Sequence, residues 1–262
     1  MIKDKKNKIY IFNNFKIIYA NMKESYINNF NIFLSVISGF MVVFLIRSML
    51  AIIDTVFVVD EYPVQRFLFI GSTTLMIMGL EVGFTKFIFL IIDKRKPSLG
   101  KIFSYFHLLG KYVLGLLIFY FFILLSVLPG FIFLYIKYNG KIIDLIYNSV
   151  GDPYFQELIS SYFSLFDLFI LVIIVMIPSI YVSIRLCLWS YFVIDREMDG
   201  YKAMIKSLDL TKTKELELIC CFCLILIFNF FGILSLIGIC FTIPLTYVFL
   251  CQYYRLLSRH LD

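Results

Sequence analysis

Charge is what this sequence has least of. Asp, Glu, Lys and Arg make up 16% of the 262 residues, against 61% hydrophobic and 19% aromatic. Soluble domains carry about 25% charged residues, and none has an interior that would hide 30 Phe, so a water-soluble fold is excluded. Histidine is nearly missing: His107 and His260 are the only two. No HExxH, no Gly-rich phosphate loop and no GxSxG occurs, which removes the familiar signatures of metalloproteases, nucleotide hydrolases and serine hydrolases. His107 follows Ser104 by three residues, but side chains at that spacing are neighbours on any helix, so His107 is read as an interfacial histidine without a catalytic role. The short alternating segments of a transmembrane β-barrel are also lacking; the apolar runs are apolar on all sides.

Spaced cysteine pairs are missing as well. The six cysteines (187, 220, 221, 223, 240 and 251) lie in or beside apolar runs, with no histidine near the 220–223 trio. Metal ligands come as spaced pairs on polar, loop-rich segments. These cysteines are therefore read as small packing residues, and no metal, cofactor or disulfide framework is expected. The basic start MIKDKKNK is not followed by a compact apolar segment with a cleavage site, so no cleaved leader is expected.

What is present is a series of apolar runs near bilayer-spanning length. They predict an all-α, polytopic transmembrane helical bundle of six spans: Ile32–Ile53, Phe67–Ile92, Tyr112–Tyr135, Leu165–Cys187, Leu218–Leu234 and Leu236–Tyr254. The third is expected to kink or stop at Pro129, and the fourth may run on as helix to Ile194. The whole of 1–262 reads as one integral membrane domain, with a basic N-terminal segment over 1–31, the six-span bundle over 32–254 and a tail over 255–262.

Lys and Arg set the orientation. They gather in the N-terminus, the 93–111 loop, the 195–215 loop and the C-terminus, whereas loops 54–66 and 137–165 are acidic. The positive-inside rule then puts both termini in the cytoplasm. The net charge of +6 is explained by this distribution, so no nucleic-acid partner is implied.

Three segments before outward-running spans have the spacing of surface helices. Phe15, Ile18, Tyr19 and Met22 form the first stripe, with Asn14 as a possible N-cap. Leu99, Ile102, Phe103 and Phe106 form the second, behind a Ser98 cap. Tyr201, Met204, Ile205 and Leu208 form the third. Lys16, Lys101, Lys202 and Lys206 are the basic residues of these helices, suited to anionic headgroups at the cytoplasmic face. Either the chain holds three copies of surface helix, outward span and return span, or three juxtamembrane helices arose independently.

Polar groups inside spans carry the most information, because each is costly there. Arg47 can snorkel to the outer headgroups, and Lys86 to the inner ones. Glu81 has a short stem. It is expected to pair with Arg185, the alternative being a neutral Glu81 bonded to Ser179 or Ser183 while Arg185 reaches lipid phosphate. Asn229 is the remaining intramembrane candidate. Ser35-x3-Gly39 and Gly79-x3-Gly83 permit close helix contact, within the bundle or in a dimer.

The pattern Tyr181-x3-Arg185, Tyr191, Asp195, Gly200, Ala203, Ser207, Thr211-Lys212, Asn229-x2-Gly232, Gly238, Pro244 and Tyr253-Tyr254 resembles bacterial six-helix membrane families of unknown function that include the YciC-like proteins. It is also similar to the membrane domain of some glycerophosphodiester phosphodiesterases. The resemblance covers the last third, with a fainter echo over Gly83–Phe106, and implies a compact six-span bundle without the separate catalytic domain of those phosphodiesterases. No catalytic residue carries over. A non-enzymatic membrane protein is expected, working by association with lipids, with another membrane protein or with itself; the alternative is a small transporter or permease subunit with a polar path near Glu81 and Arg185.

Overall fold

The computed structural model describes residues 14–23, 29–57, 63–138, 164–235 and 238–259. Among the described residues there is no strand, and the fold is an all-α bundle. Its helices are α1 (14–22), α2 (Phe30–Phe57), α3 (Pro63–Ile92), a 3-10 helix (Leu99–Leu108), α4 (Leu109–Tyr138), α5 (Leu165–Leu186), α6 (Trp189–Arg196), α7 (Gly200–Thr211), α8 (Glu215–Leu234) and α9 (Ile239–Ser258). Five stretches among the described residues, built on α2, α3, α4, α5 and α8, are long and apolar enough to cross a membrane. The chain is a membrane protein. The expected sixth span, α9, matches α8 in length at 20 residues, but its last two turns carry Gln252, Tyr253, Tyr254 and Arg255. Of the expected acidic-loop residues, Asp60, Glu61, Asp144, Asp152 and Glu157 lie outside the described residues, as does His260.

Proline does not end the apolar helices. α4 passes through Pro129 to Tyr138, α5 through Pro178 and α9 through Pro244. Of the two expectations at Pro129, a kink or a stop, the stop does not occur: with no water to take freed backbone groups, an apolar helix keeps its remaining ladder on both sides of the ring. The fourth stretch does run on past Ile194, to Arg196, but it is interrupted at Cys187–Leu188. The Cys187 N–H bonds back three residues to the Ile184 carbonyl, and the Leu188 N–H goes to the Ser207 hydroxyl at 3.3 Å. A turn therefore separates α5 from α6.

The helices group into two compact units, Met1–Gly115 with Leu188–Asp262, and Leu116–Cys187. The second unit pairs the rest of α4 with α5. Ser164 caps α5 by accepting from the Asp167 N–H, and the Asp167 carboxylate takes Lys137 and the Tyr138 hydroxyl, the latter at 2.7 Å. Ser126 and Ser179 share a hydrogen bond of 2.9 Å.

In the first unit α3 is the core. Leu80, Val82, Phe84, Phe87, Ile88 and Phe89 are all buried, which puts apolar side chains all round the helix, as a central helix requires. Val36, Phe40 and Val43 of α2, Trp189, Phe192 and Val193 of α6, and Val248, Tyr253 and Tyr254 of α9 are buried in the same unit. Of the two small-residue pairs, Gly39, Gly79 and Gly83 serve internal packing, while Ser35 is exposed. A Cβ on Gly83 would run into the Ile102 carbonyl oxygen and one on Gly79 into the Phe106 ring, while one on Gly39 would lie 3.1 Å from Phe87.

The second surface segment is not the expected α-helix. It runs as ten residues of 3-10 helix straight into α4, and the Ser98 side chain makes no cap bond. Three residues per turn put Leu99, Ile102, Tyr105 and Leu108 on one line, and Ile102 and Leu108 are buried. The side-chain amide of Asn14 donates to buried Glu217 at 2.7 Å.

Candidate functional site

The ends of α3, α6 and α9 meet in a charged knot in the first unit. α3 ends in a Schellman turn: the Arg95 N–H donates to the Leu90 carbonyl at 3.0 Å and the Lys94 N–H to Ile91 at 2.9 Å, with Lys94 at φ 59°. α6 ends in the same hand, on Glu197 at φ 54°. An Ile-Asp pair stands close before each termination, Ile92-Asp93 one residue ahead of Lys94 and Ile194-Asp195 two residues ahead of Glu197, so each helix end carries a carboxylate. Arg255 in the last turn of α9 serves both. Its guanidinium lies 2.8 Å from Asp195 and 3.1 and 3.2 Å from the two Asp93 oxygens.

Beneath it lies an aromatic floor. Phe89 and Tyr191 sit four residues before the two aspartates, and their ring centroids are 5.6 and 5.7 Å from that of Tyr254. The Arg255 guanidinium stands 5.2 Å over Phe89, a cation–π distance. Lys86 does not snorkel as expected. Its ammonium donates to the Ile194 and Asp195 carbonyls at 2.9 and 3.0 Å, satisfying the open end of α6 from a neighbouring helix, and reaches Glu197 at 3.4 Å. Lys111 donates to the Glu197 carbonyl at 2.7 Å.

Of these groups, Lys86, Phe89, Asp93, Asp195, Glu197 and Arg255 line an open cleft of about 530 Å³. Each carboxylate in it has a cationic nitrogen within 3.4 Å: Asp93, Asp195 and Glu197 are all engaged. Such an arrangement clamps helix ends together and offers a binding surface of mixed sign.

The residues singled out by sequence are placed differently from one another. Arg47 and Glu81 are brought together at 2.9 Å, joining α2 to α3. This corrects one expectation, since Arg47 does not snorkel alone but is paired with Glu81. Beside Glu81 is a small pocket of about 100 Å³, lined also by Thr85, Tyr112, Ser190, Tyr191 and Tyr247 and by apolar Val82 and Ile194. Arg185 is half-buried near the end of α5 in the second unit, and Ser179 there bonds Ser126. Asn229 ties α8 to α9, donating to the Ile225 carbonyl and the Thr246 hydroxyl, both at 3.0 Å.

Among the surface-helix lysines, Lys16, Lys101 and Lys202 are exposed and Lys206 is half-buried; Lys202 lies 3.8 Å from Asp199. Cys220 and Cys223 are exposed while Cys221 is buried, and among the described residues no three His, Cys, Asp or Glu side chains converge as a metal site. The His107 ring meets the Ser104 carbonyl rather than its hydroxyl.

Sequence reasoning missed the Asp93–Arg255–Asp195 knot and the buried Asn14–Glu217 bond. The signal for the first was the Ile-Asp repeated ahead of the second and third surface segments. Compared with protein-family models, curated proteins and solved structures, the chain matches none.

Proposed function

We propose that this membrane protein has no catalytic role and works by association, with the anionic headgroups of the cytoplasmic leaflet or with another membrane protein. The resemblance to the YciC-like families and six spans with both termini cytoplasmic are part of the same proposal. The supporting observation is that the surface segments are two-faced. Ile18, Ile102, Ala203 and Met204 are buried in the first unit, while Tyr19, Leu99, Phe103, Tyr201 and Ile205 are exposed apolar side chains beside Lys16, Lys101 and Lys202. A segment anchored on one side, apolar and basic on the other, has the composition of a headgroup-level helix. The transporter reading needs Glu81 free to face a path with Arg185, and Glu81 is engaged by Arg47.

Spin labels in lipid nanodiscs test this. Labels at Phe103 and Ile205 are expected to be accessible to oxygen, and labels at Lys101 and Lys202 to a water-soluble relaxant. Replacing phosphatidylcholine by phosphatidylglycerol should raise the thermal midpoint, and Lys101→Gln with Lys202→Gln should reduce that gain. Equal accessibility at all four positions, with no effect of lipid charge, would reject the proposal.

A further inference from the structure

The Schellman turn after α3 puts a lysine where glycine is the usual occupant, since a Cβ at positive φ crowds the following carbonyl. Its two hydrogen bonds hold that conformation, so Lys94, Arg95 and Lys96 are presented one after another, all exposed. The nearest carboxylate in sequence does not neutralise them, because Asp93 is held by Arg255. No ion pair joins any of the three to a carboxylate among the described residues.

Beside this turn is a cavity of about 560 Å³ between the start of α2 and the end of α3. Its polar wall is Asn29, Asn31 and Ser35, and its apolar wall is Ile32, Ile91 and Ile92. Cations at one rim attract an anion. The apolar wall does nothing for a free inorganic ion, but it suits the glycerol and first methylenes of a lipid. Backbone strain kept at a position that a neutral residue would occupy more comfortably points to a use for the side chain.

We infer that this turn and cavity form a specific site for the headgroup phosphate of an anionic phospholipid, a site distinct from the lysines of the surface helices. The inference rests on the lipid-association reading above and gives it a location.

The test uses the full chain in detergent, with phosphatidylglycerol retention measured by native mass spectrometry against phosphatidylcholine. Lys94→Gly removes one charge while supplying the residue that the backbone prefers, so its thermal midpoint should hold or rise. Its phosphatidylglycerol affinity should fall about fivefold, as expected for one cation near a headgroup, and adding Lys96→Gln should lower it further. Soluble glycerol phosphate at millimolar concentration should not compete. Competition by glycerol phosphate would overturn the lipid assignment in favour of a small soluble phosphate. Unchanged retention in Lys94→Gly/Lys96→Gln, with loss in Lys101→Gln/Lys202→Gln, would overturn the site and leave general lipid association standing. Indifference of every variant to lipid charge would overturn both.

Discussion

Replacing Arg255 by Gln should uncouple three helix ends, with the loss coming mostly from one contact. The Asp195 side chain is 7% exposed and lies 2.8 Å from the guanidinium, whereas the Asp93 side chain is 40% exposed and 3.1 Å away. Leaving a buried carboxylate without its cation costs about 3–5 kcal/mol, and an exposed pair contributes about 0–1. Arg255 is itself 32% exposed and the Lys86 ammonium is close by, so the lower end applies: about 3 kcal/mol for Arg255→Gln. Asp195→Asn should cost about 2 and Asp93→Asn less than about 1. The assay is equilibrium unfolding in mixed micelles for the three single and two double variants. A coupling energy above about 1.5 kcal/mol is expected between Arg255 and Asp195, and below about 0.5 between Arg255 and Asp93. Equal coupling to both aspartates, or a loss under about 0.5 kcal/mol in Arg255→Gln, would refute the reasoning from burial.

Two further outcomes are expected. A cycle of Arg47→Gln and Glu81→Gln should show about 1 kcal/mol of coupling, the scale of interhelical polar contacts in membranes, while Arg185→Gln and Glu81→Gln should be additive; coupling in the second cycle alone would restore the pairing inferred from sequence. Gly83→Ala and Gly71→Ala make the same change in one helix with opposite results. The first forces the Ile102 backbone aside and should destabilise by about 2 kcal/mol, and the second meets open space and should be neutral or stabilising by up to about 1 kcal/mol, both read as shifts in thermal midpoint.

The spans were legible because burial in lipid leaves a one-dimensional trace, the uninterrupted apolar run. α3 and α5 end within one residue of the expected Ile92 and Cys187. Helix breaks were less legible. Pro129 read as a kink or a stop and does not end its helix, whereas the Cys187–Leu188 turn lacks any proline or glycine and has the Leu188 N–H on the Ser207 hydroxyl, nineteen residues on. The polar partners were least legible. Glu81 was recognisable as needing a cation, but Arg47 read as a residue that snorkels to the outer headgroups, and only the side-by-side packing of α2 and α3 brings the two together. Lys86 and Arg255 read as ordinary edge residues because what they bind, two backbone carbonyls and two distant aspartates, leaves no local pattern.

The first unit is made of two stretches separated by the whole of the second, and this orders events in time. Asp93 leaves the ribosome 162 residues before Arg255, and Lys86 leaves it 108 residues before the carbonyl of Ile194. At roughly 5–20 residues per second, the aspartate waits on the order of 10–30 s for its guanidinium, and the lysine on the order of 5–20 s for its carbonyl. During that interval α3 is already made, carrying a lysine and an aspartate near its end with neither partner yet synthesised. The nascent chain must therefore keep the end of α3 near water, or in the care of an insertion factor, until its last helix arrives.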